Sequence, residues 1–124
     1  MGENRARRGE LESAELAREV VNAISERKGA DILMLDIRPV SLIADYFVIC
    51  SGVNERHLKA IIEEVTRRLD EAGVNPLHTE GVPSSGWVIL DYNSVIVHIF
   101  APAERQYYSL ERLWSDAKVV VKMQ

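Results

Sequence analysis

Residues 87–100 read Trp-Val-Ile-Leu-Asp-Tyr-Asn-Ser-Val-Ile-Val-His-Ile-Phe, two mainly apolar runs of six residues separated by Asn93-Ser94. Runs of this length rich in β-branched and aromatic residues form strands, and a two-residue spacer containing Asn fits a primed hairpin turn. The turn sets the register: Tyr92 pairs with Val95, and each outward step adds a pair. One face of the hairpin then carries Val88, Leu90, Tyr92, Val95, Val97 and Ile99, apolar throughout and therefore core. The other carries Trp87, Ile89, Asp91, Ile96, His98 and Phe100, too apolar for a solvated surface and too polar for an ordinary core. Two readings of this second face stay open. Helices on both sides of the sheet would leave Asp91 and His98 at the periphery. Helices on one side only would leave an exposed patch anchored by Trp87, of the kind that forms protein-binding hot spots, with Asp91 meeting a Lys or Arg of a partner.

Working outward, Glu80 to Gly86 is a loop rich in turn formers, and Val74 to Thr79 is a short edge-strand candidate. Before it, Leu58, Ile61, Ile62, Val65 and Leu69 recur at helical spacing between Asn54, a cap, and Gly73, a stop. Burying those five side chains contributes on the order of 10 kcal/mol before entropy. Ile32–Ile37 and Asp45–Cys50 read as two strands whose short connection favours antiparallel pairing. A first helix spans about 13 to 28, with Ser13 as N-cap, Leu16, Val20 and Ile24 on its apolar face, and Gly29 as the left-handed C′ residue. Downstream of the hairpin, a helix from about Glu104 to Asp116 places Tyr107, Leu110, Leu113 and Trp114 at helical spacing, and Val119–Val121 adds a last edge strand. The fold class is α/β (α+β): one mixed sheet of about five strands covered by helices, with the second helix as crossover between parallel strands. Residues 1–12 are expected to be a flexible leader and 13–124 a single domain.

The composition agrees. A chain of 124 residues, 47% hydrophobic and 27% charged, is long enough for one self-sufficient core. Its longest uninterrupted hydrophobic run is the five residues Tyr46–Cys50, far short of the roughly 20 a membrane helix needs, so no membrane partner is expected. An N-terminus without an apolar secretory stretch and a single cysteine point to a reducing cytoplasm. A net charge of −4 lacks the basic footprint of nucleic-acid binding and suits a basic protein partner better.

The catalytic readings are thin. Cys50 inside an apolar strand reads as a small core hydrophobe, although His57 or His98 could in principle serve it as base. His57, His78 and His98 show no metal-ligand spacing, and neither metal nor cofactor is expected. Ser51-Gly52, between a strand and a helix, is similar to a phosphate-binding turn but has only one glycine. Asp36, Asp45, Glu80 and Asp91 lie on separate strands and loops, without the close spacing of a two-metal site. Tyr107, Tyr108 and Trp114 read as packing residues, since base stacking would need a positive groove.

The hairpin string itself resembles the Iojap family, the ribosomal silencing factors (RsfS). The segments Ala44–Gly52 followed by Arg56-His57, then Glu80-Gly81, then Arg105–Ala117 resemble it too, in the same order and spacing. The resemblance implies a nucleotidyltransferase-like topology without catalytic residues, and a cytoplasmic, non-enzymatic homodimer. It implies binding to the large ribosomal subunit through its fourteenth large-subunit protein, with steric blocking of the small subunit and repression of translation under nutrient limitation. By position it assigns the partner contact to Trp87, Asp91, Tyr92 and the turn at Ser94, and the face argument adds Ile89, Ile96 and His98. Many members carry Gly-Asp where this chain has Asn93-Ser94, so an acidic contact at the tip is absent here. The alternative function is a nucleotidyltransferase-like nucleotide-binding protein using Ser51-Gly52 and the nearby carboxylates.

Overall fold

The computed structural model describes residues 2–124, with side chains from Ser13 onward; the leader expected over 1–12 lies outside the residues described in full. Helix α1 (Gly2–Glu26) is followed by β1 (Ala30–Asp36), β2 (Tyr46–Ser51), α2 (Glu55–Glu71) and β3 (His78–Glu80). A 3-10 turn (Pro83–Ser85) then leads to β4 (Trp87–Asp91), β5 (Val95–Phe100), α3 (Pro102–Tyr108), α4 (Leu110–Leu113) and β6 (Lys118–Met123). These form one six-stranded mixed sheet in the order β3-β4-β5-β2-β1-β6, with β2 and β5 parallel and every other pair antiparallel. The fold class is as expected, with a sixth strand. Helix α2 lies in the connection between the parallel strands.

Helices α1 and α2 cover one face. Val20 and Ile24 of α1 and Leu58, Ile61, Val65 and Leu69 of α2 are buried against Val88, Leu90, Val95, Val97 and Ile99, in one continuous cluster. The two helices are also tied by charge. Glu64 of α2 is buried and bonds Arg27 from the end of α1 together with Arg67 and Arg68 of its own helix, while Arg68 also reaches Glu26. Those guanidiniums, Arg67 foremost, hold the Glu64 carboxyl below its usual range against the opposing effect of burial.

Helix boundaries follow local chemistry, with corrections. Asn54 Oδ1 accepts the His57 N–H at 2.8 Å, and Gly73 takes φ +81° where α2 stops, both as expected. Ser13 lies inside α1 rather than at its start, and its hydroxyl donates to Asp45 Oδ2 at 2.7 Å. At the far end of α1 the left-handed residue is Lys28, not Gly29. The Gly29 N–H reaches Ile24 O and the Lys28 N–H reaches Ser25 O, a Schellman pairing displaced by one residue. Gly29 is needed for space: a Cβ there would lie 2.3 Å from Ile24 Cγ2.

Two further expectations are corrected. The edge strand is only His78–Glu80, because Pro76 lacks the N–H that pairing along 74–79 would need. The last helix is broken at Ser109, which takes φ +47°, so α3 and α4 point different faces inward. Leu110 is buried as expected, whereas Tyr107 and Leu113 are 81% and 76% exposed.

Candidate protein-binding surface

The hairpin forms in the expected register, with Trp87 opposite Phe100, Ile89 opposite His98 and Asp91 opposite Ile96. Its turn is held locally: Asp91 Oδ1 accepts the Asn93 N–H at 2.7 Å, and Asn93 adopts φ +73°. The Ser94 carbonyl accepts the backbone N–H groups of Asp45 and Tyr46, which ties the turn to the start of β2.

The second face of the sheet matches neither open reading in full. Helices do pack on both sides, since Leu110, Trp114 and Ala117 from the α3–α4 region lie with Leu35, Phe47, Ile49 and Phe100 in a second, smaller apolar cluster. That cover is short, and Trp87, Ile89, Asp91 and Ile96 remain partly exposed beside it. Ser94 is also partly exposed at the turn. Of the other expected contact residues, Tyr92 and His98 are each only 5% exposed. Tyr92 belongs to the face under α1 and α2, where its hydroxyl finds no partner and burial pushes its pKa up to about 12. His98 lies on the second face, but beneath its surface.

An aromatic cluster fixes this region. The Trp87 ring stacks on Phe100 with centroids 4.9 Å apart and meets Tyr108 of α3 at 4.5 Å, while Phe47 meets His98 at 4.8 Å and Trp114 at 5.1 Å. Trp87 Nε1 donates to His98 Nδ1 at 3.3 Å. Nδ1 must therefore be bare and the proton of the neutral ring on Nε2, which has no partner. Burial pushes the His98 pKa down to about 4, so the imidazole is neutral at physiological pH.

Sequence reasoning missed a neighbouring apolar tip. The β1–β2 loop exposes Leu42 fully and Ile43 to 60%, at the same end of the sheet as the Ser94 turn. No periodicity marks residues in so short a loop; only two adjacent apolar residues between Ser41 and Ala44 could have drawn notice.

Little here is equipped for catalysis. Cys50 is fully buried and its thiol is pushed up to about 12 by desolvation, which keeps it protonated. Ser51 is buried and its hydroxyl accepts from Arg105, which also pairs with Glu111. Beside Gly52 the N-terminus of α2 is occupied by its own Asn54 cap, and His57 Nδ1 accepts the Val53 N–H. Asp36 is engaged by Arg38 at 2.7 Å and Asp45 by Ser13. Among the described residues no group of three or more His, Cys, Asp or Glu is placed to hold a metal, and no helix is long and apolar enough to cross a membrane.

With this geometry in view, comparison with known proteins is decisive. The family model described as "Ribosomal silencing factor during starvation" matches residues 10–124. The chain belongs to the RsfS family. The "Ribosomal silencing factor RsfS" of Halalkalibacterium halodurans is 38% identical over 110 residues, which is 89% of this chain and 94% of that protein. A crystal structure of a Chromobacterium violaceum protein superposes with a TM-score of 0.79 at 34% identity, over 82% of this chain and 85% of the other. A mouse protein named "Mitochondrial assembly of ribosomal large subunit protein 1" is 28% identical over 77% of this chain and 43% of its own length. The RsfS membership agrees with the resemblance carried by the hairpin, Ala44–Gly52 and Arg105–Ala117 segments, all within the matched range.

Proposed function

We propose that this chain silences ribosomes by binding the large ribosomal subunit through that subunit's fourteenth large-subunit protein, so that the small subunit cannot dock. RsfS membership supports a ribosomal role, and the mouse relative's name supports a large-subunit partner. The observation that carries the choice of surface is the open strip of Trp87, Ile89, Asp91 and Ile96 beside the short α3–α4 cover. A half-buried Trp in a rigid aromatic setting, ringed by aliphatic side chains and one carboxylate, has the make-up of a hot spot for a basic protein surface. Ser94 at the turn extends the strip. His98 lies directly beneath the strip, and Tyr92 backs it from the closed face of the sheet.

The mechanism is steric and requires no chemistry: a cytoplasmic, homodimeric factor occupies the subunit interface and lowers translation under nutrient limitation. A net charge of −4 favours approach to a basic partner.

Co-sedimentation with isolated large subunits, small subunits and intact ribosomes tests the proposal, with Trp87→Ala run alongside. Binding should be selective for free large subunits. The folded variant should bind at least about 30-fold more weakly, corresponding to the roughly 2 kcal/mol of a hot-spot residue. Binding to no ribosomal particle overturns the function, and a folded Trp87→Ala protein of unchanged affinity overturns the surface.

A further inference from the structure

We propose that His98 is a positioning residue that sets the indole of Trp87 in its docking orientation, an inference that rests on reading this face as the ribosome-binding surface. His98 sits on β5 between Ile89 of β4 and Ile49 of β2, a site where an aliphatic side chain would leave no polar atom to satisfy. The imidazole present there is 5% exposed, and its Nε2 has no hydrogen-bond partner. A desolvated ring with an orphaned N–H works against the stability of the isolated fold. Features that break the packing rules in this way concentrate where function requires them.

The polar contact that His98 does make is with Trp87, whose Nε1 donates to Nδ1 at 3.3 Å. The indole is also held by Phe100, stacked at 4.9 Å, and by Tyr108 at 4.5 Å. Stacking restrains the plane of a ring but is tolerant of its being turned over within the stack. The hydrogen bond is directional: of the two flips of the indole, only one brings Nε1 to His98 Nδ1. His98 therefore selects one presentation of the anchor before any partner arrives, and a pre-ordered anchor loses less freedom on binding than a mobile one.

The test uses the full chain with Trp114→Phe, which leaves Trp87 as the sole tryptophan, carrying His98, His98→Leu or His98→Gln. Leucine removes the acceptor. Glutamine supplies another through its amide oxygen. Affinity for large subunits is read by co-sedimentation, and the state of Trp87 by its emission maximum and by exchange of its indole N–H. The Leu variant should bind about fivefold more weakly, equivalent to about 1 kcal/mol, with red-shifted emission, faster indole exchange and cooperative melting. The Gln variant should recover much of both readouts. A folded Leu variant with the affinity and indole exchange of the parent overturns the proposal.

Should the Leu variant fail to fold, nitrogen NMR of the unsubstituted chain decides instead. A bare Nδ1 on His98 and a protected Trp87 indole support the assignment; a protonated Nδ1, or an indole exchanging as freely as in an unfolded peptide, overturns it. If the unsubstituted chain binds no ribosomal particle, the functional reading falls, while the exchange and tautomer measurements still decide whether His98 holds Trp87.

Discussion

On the face under α1 and α2, strands β4 and β5 contribute Val88, Leu90, Tyr92, Val95, Val97 and Ile99, none more than 5% exposed; on the opposite face they contribute Trp87, Ile89, Asp91, Ile96, His98 and Phe100, four of which stay partly open. The first face is closed by two long helices and is satisfied by shape alone, apart from the Tyr92 hydroxyl. The second is covered by two short helical pieces, and it accepts a desolvated imidazole and a partly exposed carboxylate. A single hairpin thus divides its residues by alternation: successive positions along each strand go to opposite sides of the sheet, one set closed under the helices and the other left partly open.

The largest effect that separates the two faces is on stability. Leu90→Ala, on the closed face and 1% exposed, should destabilise the fold by roughly 2–5 kcal/mol because the cavity it leaves is enclosed by α1, α2 and the sheet. Ile89→Ala, its neighbour on the open face, should lower stability by far less. Urea denaturation of the two variants checks this, and equal losses would mean that the second face is as closed as the first.

The second test is pH. Burial holds the folded His98 at about 4 against an ordinary value of 6.5, so the unfolded chain takes up this proton first. The stability linked to His98 is therefore complete above about pH 6.5 and is lost as the pH falls toward 4, by about 3 kcal/mol in all. Asp36 and Glu64, whose carboxyls are held low by Arg38 and by Arg67, lose their contributions only below their ordinary values of 3.8 and 4.5. Denaturation midpoints between pH 6.5 and 5 should slope for the unsubstituted chain and flatten for His98→Gln. Parallel slopes would remove the imidazole from the cost of building the second face.

Much of this division was legible in the sequence. A two-residue turn and a period of two define a hairpin register without any tertiary information, so Trp87 and Leu90 could be assigned to opposite faces at once. The caps at Asn54 and Gly73 were legible for the same reason: their chemistry is local. What closes the second face was not. Ser109 adopts a left-handed conformation that glycine or asparagine would have signalled and serine does not, and without that break Tyr107 and Leu113 share an apolar stripe with Leu110. The depth of His98 was hidden too, because it depends on Phe47 and Trp114, residues brought to its neighbourhood only by sheet order and the α3–α4 turn.

The smallest effect belongs to Asp91, and it sharpens the reading of the open face most. None of the ion pairs among the described residues involves this carboxylate. Its Oδ1 accepts the Asn93 N–H, which leaves its charge to a partner. Asp91→Asn keeps that acceptor and removes only the charge, so the turn should survive and affinity for large subunits should fall by a few-fold, about 1 kcal/mol at most. Asp91→Lys both reverses the charge and removes the acceptor, and it should weaken binding further through repulsion by a basic surface. The loss should sit in the association rate and shrink as salt is raised, because a charge at the rim steers encounter more than it holds the complex. Association rates that ignore both substitutions at low salt would mean that the partner surface is not basic, leaving the aromatic and aliphatic part of the strip to carry recognition alone.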